Sequence, residues 1–404
     1  VITIAAPREP SPETRVALVP DVVRGLVRSG HQVLVESGAG TASHHPDDAY
    51  AAAGAAVVPA IDLGAVDILV HVTPLPAAAL LRLRPGAVTL GLQAPLDDAD
   101  RLAAANARRL TVLAFERLPR TSRAQAMDVL SSQALAAGYR AVLEAAIRLP
   151  RFFPLAMTAA GTVPPAKVVV LGAGVAGLQA IATARRLGAK VAANDIRPES
   201  AEEVRSVGAT FIDVGLAGEA GAGVGGYARS LGRSAAQAQQ AALAPHIADA
   251  DVLITTAAVP GRRAPLLVTA AMVAAMRPGS VVVDLAAAGG GNVEGSRPGV
   301  DATVPSARGG GAITLVGLAS APADLPTDAS RLYAKNVAGV VALLTGADGG
   351  LVVPLDDDII DGMALTHDGA TRHGLGAPPA QDAGVVAPAV TPGGAPAPEH
   401  AEPR

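Results

Sequence analysis

The sequence predicts an α/β protein: two doubly wound parallel-sheet domains joined by long helices, then a tail that builds no core. Three observations carry this expectation. Strand and helix signals alternate through two separate stretches of the chain. A glycine-rich turn stands between the first strand and first helix of the second stretch. From about Gly374 the composition shifts to Ala, Pro and Gly, as in Pro378-Pro379 and Thr391-Pro392-Gly393-Gly394.

The first series begins with a strand at Val1–Ile4 and a helix from Pro20 to Arg28, with Pro20 near its first turn. His31–Val35 is a strand, Pro46–Ala53 a helix, and Ile68–Val72 a buried strand, with further apolar runs at Val88–Leu92 and Leu110–Phe115. A long helical stretch from Ser122 to Ile147 follows, stopped by Pro150 and Pro154. After Pro164-Pro165 the second series runs through strand Lys167–Leu171, helix Val175–Leu187 and strand Lys190–Asn194. Its later strands are Val252–Thr255, Ser280–Asp284 and Ile313–Val316. A glycine-dense insert, Leu216 to Leu231, reads as a mobile surface loop. Asp328 to Leu344 reads as a helix long enough to cross back to the first unit. The expected domains are therefore 1–121 with 328–373, 122–327, and a tail over 374–404.

At 404 residues the chain exceeds one ordinary core, and half of it is apolar, so it can fill two. With 4 Phe, 4 Tyr and no Trp, the packing must come from Ala, Val, Leu and Gly. A net charge of −4 gives no global reason to bind nucleic acid or an acidic membrane surface. The absence of cysteine excludes disulfides, thiolate catalysis and Cys-based metal sites. Of the 8 histidines only His44 and His45 are close, and adjacent residues share no face, so no metal is expected. The amino terminus lacks a basic segment followed by an apolar one, and the nearest apolar stretch, Asn336–Ala347, is too short to span a bilayer. The expectation is a soluble protein.

The turn Gly172-Ala173-Gly174-Val175-Ala176-Gly177 lies where a dinucleotide fingerprint belongs. Gly172 permits the tight turn, Gly174 the approach of a pyrophosphate, and Gly177 close packing of helix on strand. The helix amino terminus offers N–H groups to phosphate. Asp195, Ile196 and Arg197 follow the second strand, and a carboxylate there suits the adenosine ribose hydroxyls of NAD(H). It would repel a 2′-phosphate, a repulsion that Arg197 can soften. The same glycines and acid in a plain strand–helix turn would need no ligand. The register of strand, glycines, helix and acid favours a Rossmann-like site.

The chain resembles the soluble NAD(H)-binding domain of proton-translocating NAD(P) transhydrogenase, a family related to alanine dehydrogenase, over about residues 1–373. The motifs that carry the resemblance are Arg120-Thr121-Ser122-Arg123-Ala124-Gln125-Ala126-Met127-Asp128-Val129-Leu130-Ser131-Ser132-Gln133 and Met157 to Ala166. The glycine turn, Asn194-Asp195-Ile196-Arg197, and Pro7-Arg8-Glu9 with Arg15-Val16-Ala17 complete them. The resemblance implies that Arg120, Thr121, Ser122, Gln125, Ala126, Met127, Asp128 and Ser131 lie at the nicotinamide end. Gln125 and Asp128 would position the ring without acid or base work. Spacings of three place Gln125, Asp128 and Ser131 on one side of the expected helix. Val175, Gly226, Gln239 and Ala258 match positions that contact NAD, and Tyr227 stands at the tip of the glycine-dense loop.

The implied partners are a membrane subunit and an NADP(H)-binding subunit on separate chains, together with a second copy of this one. The implied location is cytoplasmic and peripheral to the membrane, without direct insertion. Two departures from the family stand out: Ala288 replaces an acid, and Ala319-Ser320-Ala321-Pro322 replaces Thr-Asn-Val-Pro. A competing reading is an alanine-dehydrogenase-like oxidoreductase. That enzyme needs a cation for the substrate carboxylate and a general acid/base. Arg15 is present, but His71 stands in place of a lysine, Gly91-Leu92-Gln93 lacks a histidine, and Ala287-Ala288 replace an aspartate. A third reading is a non-catalytic NAD(H)-responsive regulator.

Overall fold

A computed structural model describes residues 1–215, 233–258 and 263–372. The expected loop 216–231, with Gly226 and Tyr227, and the expected tail lie outside the described residues. From the amino terminus the elements are β1 (Thr3–Ala6), α1 (Pro20–Arg28), β2 (Gln32–Glu36), α2 (Asp47–Ala52) and β3 (Ala56–Val58). Next come β4 (Ile68–Val70), α3 (Ala77–Leu80), β5 (Val88–Gly91), α4 (Ala99–Ala107) and β6 (Thr111–Ala114). Helix α5 (Val129–Arg148) leads to a small hairpin, β7 (Ala156–Thr158) and β8 (Gly161–Val163).

The second series follows: β9 (Lys167–Leu171), α6 (Val175–Arg186), β10 (Lys190–Asn194), α7 (Ser200–Ser206) and β11 (Thr210–Phe211). It continues with α8 (Arg233–Ala248), β12 (Val252–Thr255), α9 (Ala270–Ala274), β13 (Val281–Asp284), β14 (Val300–Pro305) and β15 (Ala312–Gly317). The chain then returns through α10 (Pro326–Leu343), α11 (Asp358–Met363), β16 (Ala364–His367) and β17 (Ala370–Thr371).

Two large sheets result. The first has the order β17-β16-β6-β5-β4-β1-β2-β3 and the second β11-β10-β9-β12-β13-β15-β14. Pairings among β1–β6 are parallel, as are those from β9 to β13 and on to β15. Strand β14 is antiparallel to β15, and β16 antiparallel to β6, so both sheets are mixed at one edge, which the sequence reading did not anticipate. Edge strands need neither a crossover helix nor burial on both faces, and their weaker apolar patterns follow from that. Strand β14, for example, is exposed or half-buried throughout.

Each sheet is packed on both faces. Around the first, one core holds Ile4, Val33, Ile68 and Leu90 with Tyr333 and Val337 of α10, and the opposite face packs Leu69, Leu83, Leu110 and Val112. The second sheet places Val168, Val170 and Ile254 on one side and Val169, Leu253 and Val282 on the other. Helix α5 ties the two together. Val129 at its start belongs to the first sheet's core, while Ala141, Val142 and Ala145 belong to the second's. Its Gly138 is fixed by proximity, because a Cβ there would stand 2.0 Å from the Ala176 carbonyl oxygen in the first turn of α6. Small residues thus let backbones approach where the near-absence of aromatics leaves volume to fill.

The long helix does not begin where the pattern placed it. Ser122–Met127 is a 3-10 turn, and α5 starts only at Val129. Between them Asp128 takes a non-helical conformation (φ −76°, ψ 90°), and its side chain accepts from the Ser131 N–H. An Asp that can cap competes with the helix interior for its own backbone, and here capping wins.

Candidate dinucleotide site

In the second sheet, β9 lies between β10 and β12, and Leu171 is paired with both Asn194 and Thr255. The next residues, Gly172, Asp195 and Thr256, therefore emerge side by side at the carboxyl edge. The helix after β9 serves one face and the chain after β12 the other, so a crevice opens there, where doubly wound sheets bind ligands.

The glycines do three different jobs. Gly172 has φ +96°, in the region that disfavours side chains, and a Cβ would press within 2.5 Å of Thr256 Oγ1. At Gly177 a Cβ would stand 1.9 Å from the Gly172 carbonyl oxygen, so strand and helix meet there without intervening atoms. At Gly174 a Cβ would meet nothing within 4 Å. Gly174 is exposed, caps α6 with no side chain of its own, and leaves the first-turn N–H groups open to an anion. A fold that needs no glycine at Gly174 yet leaves open space over it fits a diphosphate backbone. Val175, the first helical residue, is 42 % exposed beside it.

Asp195 is well supplied with donors. Its Oδ2 accepts from the Ala173 N–H at 2.7 Å, and its Oδ1 from the Arg197 N–H at 2.9 Å. The Arg197 guanidinium folds back onto both oxygens, with Nε to Oδ1 and Nη2 to Oδ2 each at 3.1 Å. Rather than standing apart to face a phosphate, Arg197 is held by the acid. Burial works to lower its pKa, but the pairing with Asp195 outweighs burial and the pKa is raised. Ile196 between them is half-buried. Gln239, on α8, is 5 % exposed and donates to Asn194 Oδ1 at 3.3 Å, while Asn194 donates to the Ile212 carbonyl at 2.8 Å. Its amide thus braces the end of β10 from below. Ala258 is exposed at the end of the segment after β12.

The Arg120–Ser131 segment is pinned from beneath. Met127 and Ala124 are buried, and a Cβ at Gly339 of α10 would lie 2.9 Å from Met127 Cγ. The Asn336 side chain donates to the Ala126 carbonyl at 2.8 Å. Arg123 pairs with Asp357 and with Asp358 at the start of α11. These anchors leave Arg120, Ser122, Gln125 and Ala126 exposed, and the Thr121 hydroxyl is buried without a hydrogen-bond partner among the described residues. Asp128 and Ser131 are joined: Ser131 N–H and Oγ donate to the carboxylate at 2.9 and 2.5 Å. The expected shared helical face of Gln125, Asp128 and Ser131 is therefore replaced by turn, cap and first helical turn.

Residues that the sequence reading passed over complete the site's walls. Asp284, fully buried at the end of β13, accepts from Thr255 Oγ1 and the N–H groups of Ala286, Asn292 and Val293. Asn292, also fully buried, accepts from the Ala257 N–H and donates to the carbonyls of Ala257 and Pro265. Polar residues at buried positions of apolar strands and helices were the available signal, since burial without partners is costly. Ala288 and Ser320, the departures from the family pattern, are both exposed.

In the first unit the polar side chains are committed to one another. Arg15 pairs with Glu13 through Nε and Nη2, each at 2.8 Å, and donates to Gln133 Oε1. His71 is buried, with Nδ1 at 2.7 Å from the Thr73 carbonyl and Nε2 at 3.1 Å from Gln93 Nε2. The carbonyl requires the proton on Nδ1, so Nε2 accepts from the Gln93 amide, whose oxygen takes the Arg101 guanidinium. Burial lowers the His71 pKa to about 4, which leaves the ring neutral at pH 7. Glu9 accepts from the N–H groups of Val72 and Thr73, and burial raises its pKa. Among the described residues no cluster of His, Asp or Glu has a metal-binding arrangement, and no helix is long and apolar enough to cross a membrane.

Residues 5–137 match the family model of the alanine dehydrogenase/PNT N-terminal domain, and residues 141–374 that of its C-terminal domain. The chain is 42% identical over 380 residues to an NAD(P) transhydrogenase subunit alpha chain of Rhodospirillum rubrum, covering 92% of this chain and 97% of that one. It is 34% identical over 294 residues to alanine dehydrogenase of Mycobacterium tuberculosis, 71% of this chain and 72% of that one. Its structure superposes on that of the transhydrogenase from Sinorhizobium meliloti with a TM-score of 0.78 at 41% identity, covering 92% and 99% of the two chains.

Proposed function

The chain belongs to the alanine dehydrogenase/PNT family, and we propose that within it the chain is the NAD(H)-binding subunit of a proton-translocating NAD(P) transhydrogenase. The observation that carries the reading is the crevice at the carboxyl edge of β9, β10 and β12, with Gly174 beneath open space and Asp195 beside it. The first-turn N–H groups of α6 hold the pyrophosphate. Asp195 turns its carboxylate to the adenosine ribose, sharing it with Arg197 or releasing that guanidinium. Arg120, Thr121 and Ser122 face the nicotinamide ribose, while Gln125 and Asp128 fix the ring. Asp128 acts through its tie to Ser131.

When bound, NADH supplies the hydride, which passes to NADP+ held by a separate subunit. The chain's own task is to set the ring at contact distance and keep water out. No acid, base or nucleophile of this chain takes part. The further partners are a membrane subunit that couples the transfer to proton movement, and a second copy of this chain. Alanine dehydrogenase chemistry finds no support in the first unit: Arg15 is already neutralised by Glu13, and His71 is buried and neutral between Thr73 and Gln93.

Stopped-flow transfer from NADH to an NADP+ analogue, with the NADP(H)-binding subunit present, tests the reading, alongside NADH oxidation with pyruvate and ammonia. Transfer with the partner and none with pyruvate and ammonia is expected. Turnover with pyruvate and ammonia above background overturns the assignment. NADH binding without transfer favours the regulator.

A further inference from the structure

An asparagine inside a helix gives up local backbone bonding and is unfavourable there unless its amide has partners. Asn336 of α10 is such a residue, 7 % exposed and flanked by Lys335 and Val337. Its Nδ2 donates to the Ala126 carbonyl at 2.8 Å, and its Oδ1 accepts from Ser132 Oγ at 2.7 Å. Both ends of one side chain therefore hold the two sides of the Asp128 break: the last residues of the 3-10 turn and the first turn of α5. At the other end of the turn, Arg123 grips Asp357 through Nη1 at 2.6 Å and Nη2 at 2.7 Å, and also pairs with Asp358. Asp357 is in turn the cap of α11, accepting from the Ile359 N–H at 2.9 Å.

We propose that Asn336 and Arg123 are positioning residues, through which the returning segment α10–α11 sets where Gln125 and Asp128 stand against the nicotinamide ring. The inference rests on the transhydrogenase reading for its consequence and on the clamp geometry for its cause. Gln125 and Ala126 lie exposed between the two grips, with no regular helix to hold them. A 3-10 turn of this length leaves its terminal carbonyls without partners, so its place is set by what those carbonyls and side chains reach. The elements reached are those that complete the first sheet's core, where Val337, Val340 and Ile359 are fully buried. The turn is thereby tied to the rigid body of the first unit, while the adenine half of the site is built on the second sheet. Loosening the clamp should misplace the ring and leave the adenine end intact.

The test uses the full chain with NADH as probe and compares Asn336→Leu, Arg123→Ala and Arg123→Lys with the unaltered chain. Arg123 is half-exposed, so its variants fold even if Asn336→Leu does not. Three quantities are read: the NADH dissociation constant, hydride transfer to an NADP+ analogue with the partner subunit, and anisotropy decay of bound NADH, whose fluorescence comes from the nicotinamide ring. For Asn336→Leu and Arg123→Ala, transfer should slow by about tenfold or more, since errors near 1 Å cost on the order of a hundredfold. The dissociation constant should stay within about twofold, a fast depolarising motion of the ring should appear, and Arg123→Lys should restore part of the rate. Transfer and ring mobility unchanged in Arg123→Ala overturns the proposal, as does a loss of rate matched by an equal loss of binding. If the unaltered chain binds NADH but supports no transfer, the transhydrogenase reading fails alone and ring mobility still decides the clamp. If it binds no NADH, both fall.

Discussion

A methyl group added at Gly174 and one added at Gly177 test the two meanings of the same glycine motif. Gly174 has ordinary backbone geometry (φ −70°, ψ −170°), and its new Cβ would meet nothing within 4 Å. Alanine is a poorer helix cap than glycine, so Gly174→Ala should cost the fold about 1 kcal/mol at most. In the complex that methyl occupies the place where the pyrophosphate comes closest to the backbone. Losing one charge-assisted N–H contact is worth about 1.5–3 kcal/mol, or about 10- to 150-fold in the NADH dissociation constant. Gly177→Ala is the opposite case. Its Cβ would stand 1.9 Å from the Gly172 oxygen and 2.8 Å from its carbon. Gly172 cannot retreat freely, because its N–H donates to Asn194 and its carbonyl accepts from Thr256 Oγ1. Overpacking of about 1–3 kcal/mol plus one lost hydrogen bond of about 1 kcal/mol predicts a cost of about 2–4 kcal/mol. At about 2–4 °C per kcal/mol for a unit of this size, the melting temperature should fall by about 5–15 °C. Fluorescence titration with NADH and thermal unfolding, run on both variants, separate the effects. If Gly174→Ala binds NADH as tightly as the unaltered chain with its fold intact, the pyrophosphate does not lie on this turn and the glycines serve the strand–helix junction alone.

Three further outcomes follow from the same geometry. Asp195→Ala should weaken NADH binding by about 1–3 kcal/mol and narrow the preference over NADPH, because it removes the acceptor and frees Arg197; equal titration curves for NADH and NADPH in the unaltered chain would remove that role. Asp128→Asn and Gln125→Asn should slow hydride transfer far more than they weaken NADH binding, and an unchanged transfer rate in stopped flow would reduce Asp128 to a helix cap. His71 protonates near 6.5 in the unfolded chain and near 4 when folded, so only the unfolded chain takes up its proton between those values. Stability is then lost as the pH falls from 6.5 towards 4, by on the order of 3 kcal/mol across the window, and is unaffected by His71 above it. Glu9, whose folded pKa is raised, acts in the other direction, so the comparison should be made against His71→Asn. Urea midpoints at pH 7 and pH 5 that shift equally in the two proteins would contradict the assignment.

The sequence by itself determined those parts whose physics is local. A run such as Lys167–Leu171 has one stable use, a buried strand, and the glycines after it admit one kind of turn. Strand β9, helix α1, strand β10 and strand β12 accordingly lie where the pattern placed them. The position of Asp195 at the sheet's edge was readable for the same reason. Tertiary structure decided what depends on distant partners. Whether Ser122–Met127 joins the long helix turned on Asp128, whose carboxylate bonds Ser131, and on α10, which supplies Asn336 and the gap at Gly339 that Met127 fills. Whether Arg197 faced solvent or Asp195 depended on a carboxylate already held by Ala173. Arg15 looked available for a substrate until Glu13 and Gln133 were seen around it. Periodicity reports which face of an element is buried. It carries no information about which polar group, hundreds of residues away, will meet a given side chain once that face is covered.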